Sequence, residues 1–152
     1  MSATLKLELY WWLFTIIVAI AVLVPIYQRL PDYPFYTSNI LHIVLFVTFT
    51  RYAFLLPHTF LARRQLWKGI VFVLCLFVLF RIIENINFFQ TWLDEEGTDA
   101  LVGHLAFDQR KSMIDYVRSE YLLFGVGSAI ATVFLQLRLI VSAWRFHNYG
   151  KV

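Results

Sequence analysis

The sequence has few of the features that a soluble enzyme or a secreted domain requires. Its 152 residues include one cysteine, so the chain can form neither an internal disulfide nor a cysteine-rich metal site. Charged residues make up 15% of the chain, whereas soluble domains contain roughly 25%. Hydrophobic residues make up 60% and aromatic residues 18%. A chain of this composition is predicted to reside in a membrane, because it cannot bury its apolar surface in water.

Motifs that carry enzyme chemistry are also missing from the sequence. It contains no HExxH zinc motif, no phosphate-binding glycine loop and no nucleophile elbow. The formal net charge of +3 comes from basic residues at the edges of apolar segments, a placement that membrane topology explains better than nucleic-acid binding. We therefore expect no metal, no cofactor and no nucleic-acid partner, and we favour a protein that is not an enzyme.

Four apolar runs are long enough to cross a bilayer. A hydrocarbon core about 30 Å thick requires roughly 20 helical residues, and runs of this length occupy residues 9–28, 36–57, 69–89 and 121–144. The first run lacks a small-residue cleavage site, so we expect it to be retained. The sequence predicts an all-α fold, a single membrane domain built as an integral membrane four-helix bundle.

The basic residues predict an N-in/C-in orientation, because cytoplasmic flanks are enriched in lysine and arginine. In this orientation the basic residues of the cytoplasmic flanks are Lys6, Arg63, Arg64, Lys68, Arg145 and Lys151. Those of the outer loops are Arg29, Arg110, Lys111 and Arg118.

The predicted outer loop, residues 90–120, is the largest region outside the spans. Its apolar residues recur at helical spacing, which predicts one or two amphipathic helices. These residues are Leu101, Leu105, Met113, Ile114 and Val117. Such helices could rest on the membrane or cap the bundle, and the alternative is that they form a docking surface for a partner.

Charged residues at bilayer depth point to a functional site. Arg81 and Glu84 are three residues apart and can pair, and with Asn85 they are predicted to face the bundle interior. The group could be a structural pair, or it could be a proton or anion site. His42 is predicted at a depth similar to that of Glu84, where it could be a buried core histidine, part of a proton relay or a contact for a quinone head group.

Two further arginines lie near the cytoplasmic ends of their spans. Arg51 and Arg138 are each about six residues from such an end, within reach of lipid phosphates. We expect both to anchor lipid headgroups. Three arginines face one acid in the predicted spans, so an anionic lipid or the carboxylate of a partner is expected to complete the balance.

Small residues in the fourth span predict close helix packing. They are Gly125, Ser128, Ala129 and Thr132. Small and hydroxyl side chains allow helix backbones to approach each other. The neighbouring helix could belong to the same chain or to another.

Several stretches resemble known bacterial membrane proteins. Residues 50–57 (Thr-Arg-Tyr-Ala-Phe-Leu-Leu-Pro), followed by residues 60–64, look like the second hairpin of the membrane sensor region in LytS-like histidine kinases of Bacteroidota. Residues 7–12 and 137–140 fit the same likeness. The chain also resembles uncharacterised four-helix inner-membrane proteins of that phylum, which implies a bacterial inner membrane. Because the sequence ends eight residues after Trp144, we expect no kinase domain.

The sequence therefore favours a non-enzymatic integral membrane subunit or sensor-like module that acts through helix and loop contacts with a partner. We expect a homo-oligomer or a subunit of a larger membrane complex. Two alternatives depend on Arg81, Glu84, Asn85 and His42. They are a small proton-coupled or anion transporter that works as an oligomer, and a quinone- or lipid-binding enzyme subunit.

Overall fold

The computed structural model describes residues 3–62 and 64–149, and its regular elements in these ranges are all helices, with no strand. The elements are α1 (Ala3–Arg29), α2 (Tyr36–Leu55), a 3-10 turn (Leu56–His58), α3 (Gln65–Glu96), α4 (Asp99–Val102) and α5 (Phe107–Tyr149). In the described part, α1, α2 with its 3-10 turn, α3 and α5 are long and apolar enough to cross a membrane. This confirms the prediction of an all-helical chain with four candidate spans. Arg63 and Lys151, two of the basic residues used to predict orientation, lie outside the described residues.

The predicted outer loop is mostly a continuation of the two spans that flank it. Helix α3 runs to Glu96 and α5 begins at Phe107, so residues 90–120 are mostly helical, as their spacing predicts, but they extend the two spans and do not form a separate unit. Met113 and Val117 are buried on α5, two turns and one turn before Tyr121 respectively, because their helical spacing continues the buried face of the span. With 43 residues, α5 is about 65 Å long. It therefore extends well beyond a hydrocarbon core of about 30 Å.

The connections at residues 30–35 and 97–106 lie together at one end of the bundle, which we call the connection end. They line a common cavity there. At this end Ile26, Leu30, Phe89 and Tyr121 belong to one buried cluster. A second buried cluster lies towards the opposite end and contains Leu56, Cys75 and Leu139, among others. The core is therefore built mainly where α5 packs on α2 and α3.

The small residues of α5 lie against helices of the same chain. A Cβ atom at Gly125 would lie 3.0 Å from Cγ1 of Ile86 on α3 and 3.4 Å from Nδ1 of His42 on α2. Ser128 and Thr132 are fully buried and donate hydrogen bonds to carbonyls of their own helix, while Ala129 is half-buried. Close approach at this face holds the three helices together.

Helices α1 and α3 leave most of their apolar side chains exposed. An apolar groove of about 440 Å³ runs between α1 and α2, lined by residues such as Ile16, Leu23 and Val44. Such surface suits contact with acyl chains or with other helices better than contact with water.

Candidate functional site

A buried polar layer crosses the core near the connection end. We define it as Ser38, Asn39 and His42 of α2 with Glu120 and Tyr121 of α5. Asn39 and Glu120 are both buried, and the amide nitrogen of Asn39 donates a hydrogen bond of 2.5 Å to Glu120 Oε1. The Tyr121 hydroxyl lies 3.0 Å from Ser38 Oγ. These contacts join α2 to α5 through polar groups inside the core.

Several atoms of the buried polar layer have no hydrogen-bond partner among the described residues. They are Asn39 Oδ1, Glu120 Oε2 and both ring nitrogens of His42. Buried polar atoms are usually paired, because leaving one unpaired costs about 1–3 kcal/mol. This layer is therefore the place where the core could bind a proton or a small polar ligand.

His42 does not meet Glu84, so the predicted relay between the two is wrong. The His42 ring is fully buried, and its centroid lies 5.0 Å from that of the Tyr121 ring in an edge-on contact. Glu84 instead lies on the outward face of α3. Proton exchange requires the two side chains to lie within hydrogen-bond reach, directly or through one water, and a fully buried ring on α2 and an exposed carboxylate on α3 are not so placed.

Arg81 and Glu84 pair with each other on the outside of the bundle. Arg81 Nη1 lies 2.5 Å from Glu84 Oε2, and the two side chains are 66% and 51% exposed. The prediction that they face the interior is wrong. Asn85 is half-buried, and its backbone carbonyl oxygen lies 3.3 Å from the Tyr121 hydroxyl.

The phase of α3 explains this outward placement. Its buried residues include Cys75, Ile82 and Phe89, which are spaced by seven and define one stripe. At about 100° per residue, Glu84 is turned about 200° from Ile82. The same seven-residue spacing in the sequence could have indicated the outward placement of the pair.

Arg51 also differs from its prediction as a lipid anchor. It is buried, and its Nη2 lies 2.6 Å from Glu8 Oε1 of α1. Its guanidinium carbon lies 5.3 Å from the centroid of the Tyr52 ring and 5.8 Å from that of the Trp11 ring. Such contacts stabilise a cation. The count of three arginines against one acid is therefore wrong, because Glu8 and Glu120 also lie within the helical bundle.

Arg138 remains without an acidic partner, since no carboxylate within the described ranges lies within 4.0 Å of it. It is half-exposed and borders an apolar groove of about 480 Å³ between α2 and α5. Phe54, Phe134 and Val141 also line this groove. The prediction that Arg138 anchors the headgroup of an anionic lipid stays a prediction, and this groove is where the acyl chain of such a lipid would lie.

We predict that Arg138→Gln lowers the amount of phosphatidylglycerol that the protein retains after detergent washing. Native mass spectrometry of the full chain measures the bound lipid. Arg145→Gln is the matched control, because Arg145 is an exposed arginine of the same helix that does not line the groove. Equal lipid retention by the two variants would contradict the prediction that Arg138 binds a lipid headgroup.

The sequence interpretation missed Asn39, Glu120, Tyr121 and Glu8. Glu120 and Glu8 each lie one residue before an apolar run, so hydropathy places them at the flanks of the spans. A signal was nevertheless present. Asn39 and His42 lie three residues apart and therefore share one face of α2.

The chain matches no family model, and no curated protein or solved structure is found to be similar to it. Within the described residues, no group of three or more histidine, cysteine, aspartate or glutamate side chains could hold a metal ion. The four long apolar helices found among the described residues are, by length and composition, those of a multi-pass membrane protein.

Proposed function

We propose that this protein is a non-enzymatic integral membrane subunit or sensor-like module that assembles with a second copy of itself through α3. The observation that carries this proposal is the Arg81–Glu84 ion pair on the outward face of the helix. Charged groups inside a membrane usually face a bundle interior or a water-filled cavity. Within the described chain no helix covers this pair, so a neighbouring chain would shield it from lipid.

The depth of the pair strengthens this argument. Arg81 lies eight residues before Phe89, the last residue of the apolar run, which is about 12 Å along the helix axis. In a core about 30 Å thick, this places the guanidinium stem near the midplane. A side chain at that depth must reach far to contact headgroups, whereas a second helix can cover it directly.

The outward face of α3 has the spacing of a helix-pairing surface. We call it the α3 seam, and its residues are Ile70, Leu74, Phe77, Arg81, Glu84 and Phe88, all exposed. Their separations alternate between four and three residues, the repeat of left-handed helix pairs. Most helix pairs in membranes cross with this handedness. The seam is apolar apart from one cation and one anion in its middle.

The charges of the α3 seam fit a second copy of the same chain. Copies inserted with one topology run parallel, so their Arg81 side chains lie at the same depth. Glu84 lies one turn further along. Each Arg81 can therefore pair with Glu84 of the other copy, and the interface stays neutral. The alternative of a small proton-coupled or anion transporter depends on Arg81 and Glu84 lying inside the bundle, whereas both side chains are exposed.

We further propose that both termini are cytoplasmic, that the connection end faces outward and that the host membrane is a bacterial inner membrane. The support is the distribution of charge along the helices. In the sequence, six basic residues lie at the predicted cytoplasmic flanks, against the four basic residues Arg29, Arg110, Lys111 and Arg118 of the predicted outer loops. Basic residues favour the cytoplasmic side.

Cysteine cross-linking tests the proposed assembly. Phe77→Cys, in a chain where the buried Cys75 is replaced by alanine, should form a disulfide-linked dimer when native membranes are oxidised. Phe134→Cys is the matched control, because Phe134 is an exposed phenylalanine on α5 away from the α3 seam. Cross-linking of neither variant, or of both equally, would oppose the proposal.

A further inference from the structure

We infer that Glu120 in the buried polar layer carries a proton and forms a cyclic acid–amide pair with Asn39. The ligand of this site is a single proton. The inference is independent of the α3 seam, since Asn39 and Glu120 lie in the core between α2 and α5.

Hydrogen-bond complementarity between the two side chains leads to this inference. A primary amide and a carboxylic acid each offer a donor and an acceptor on two atoms bonded to the same carbon. The Asn39 amide already donates to Glu120 Oε1, and the remaining oxygens, Asn39 Oδ1 and Glu120 Oε2, have no partner. If Glu120 were ionised, both remaining oxygens would be acceptors and neither could bond the other. A proton on Oε2, donated to Asn39 Oδ1, gives both of them a partner.

The surroundings of Glu120 offer no positive charge to balance an ionised carboxylate. No lysine or arginine of the described ranges forms an ion pair with it. The titratable groups that face it are the phenols of Tyr33, Tyr116 and Tyr121. Helix α2 adds the His42 imidazole, which has no hydrogen-bond partner and lies one turn beyond Asn39.

Helix α3 adds no charge to this layer either. It contributes the ring of Phe89, stacked on Tyr121 with centroids 4.0 Å apart, and the backbone carbonyl of Asn85. An unpaired charge buried among such groups is costly, whereas a neutral acid in the same place is not. The proton would form one O–H bond at Oε2, and water would supply it and take it back.

The connection end gives this proton a route from solution. Tyr33, in the connection between α1 and α2, lines a cavity of about 260 Å³ with Asp32, Trp92 and His104. The Tyr33 hydroxyl is buried and has no partner among the described residues. Burial raises the pKa of Tyr33. The phenol therefore keeps its own proton beside Glu120 and can donate a hydrogen bond towards it.

Infrared spectroscopy of the full chain in liposomes tests the inference. The wild type should show the C=O band of a protonated carboxyl group at neutral pH, and Glu120→Gln should abolish it. Asn39→Leu should shift the band, because the acid loses its amide partner. Glu84→Gln is the matched control and should keep the band, since Glu84 is exposed and paired with Arg81.

Thermal unfolding supplies a second measurement. Glutamine has the shape of a protonated glutamate and offers the same pattern of one donor and one acceptor towards Asn39. Glu120→Gln should therefore unfold within about 3 °C of the wild type, whereas Glu120→Leu should unfold at a clearly lower temperature.

Three results would overturn the inference. They are the absence of a protonated-carboxyl band at neutral pH, a band that survives Glu120→Gln, and a Glu120→Gln variant that unfolds as early as Glu120→Leu or does not fold.

Discussion

Gly125→Leu is expected to lower the free energy of unfolding by about 3 kcal/mol, the upper range for overpacking a filled core. The new Cβ would lie 3.0 Å from Cγ1 and 3.1 Å from Cδ1 of Ile86, and 3.4 Å from Nδ1 of His42. The rest of the leucine side chain would have to push α5 away from α2 and α3. Denaturant unfolding in mild detergent, followed by tryptophan fluorescence, measures the loss.

Gly69→Leu is the matched control for this prediction. Gly69 is an exposed residue of α3, and no atom outside its own helix turn lies within 4 Å of a Cβ placed there. Leucine also has a better helix propensity than glycine by roughly 0.8 kcal/mol, so the control should be neutral or slightly stabilised. Equal destabilisation of the two variants would show that α5 does not approach its neighbours this closely.

Glu8→Gln is expected to destabilise the bundle by about 3 kcal/mol, the lower end of the range for breaking a buried ion pair. The substitution leaves the Arg51 guanidinium buried, with the Tyr52 and Trp11 rings but without a carboxylate. We use the lower end because the Glu8 side chain is 21% exposed. The same unfolding measurement reports the effect.

Two comparisons make this second prediction specific. The double variant Glu8→Leu with Arg51→Leu should recover part of the loss, because it removes both charges together. Asp99→Asn breaks an exposed pair with Arg110, in which the Asp99 side chain is 86% exposed, and should change stability by about 0.5 kcal/mol at most. A Glu8→Gln effect as small as that of Asp99→Asn would mean that Arg51 finds another partner.

The number and type of the long helices could be predicted from the sequence because hydropathy is a local property. Each of the four apolar runs lies within a helix that is long and apolar enough to span a membrane. The ends of the helices were harder to predict. The predicted spans exclude residues 90–96 and 107–120, which mix polar with apolar side chains, yet these residues continue α3 and α5. Helical hydrogen bonding does not stop where a run ceases to be apolar.

The partners of the polar residues could not be predicted in the same way. Glu8 and Arg51 lie on different helices, as do Asn39 and Glu120, and hydropathy does not report which faces meet. Arg81 shows the consequence. Its pairing with Glu84 follows from a spacing of three residues, whereas its outward placement depends on the phase set by Ile82 and Phe89. Interior placement was assumed because charged residues in spans usually face inward.

The most direct test of self-association through the α3 seam uses Phe77→Cys in two charge-altered copies that carry different tags, both with Cys75 replaced by alanine. One copy carries Arg81→Glu and therefore has two acids in its seam. The other carries Glu84→Arg and has two arginines. Expressed alone, each should give little disulfide-linked dimer because like charges meet in the interface. Expressed together, they should form a mixed dimer at the wild-type level or above. Strong cross-linking of each copy alone, or none of the mixed pair, would contradict the account.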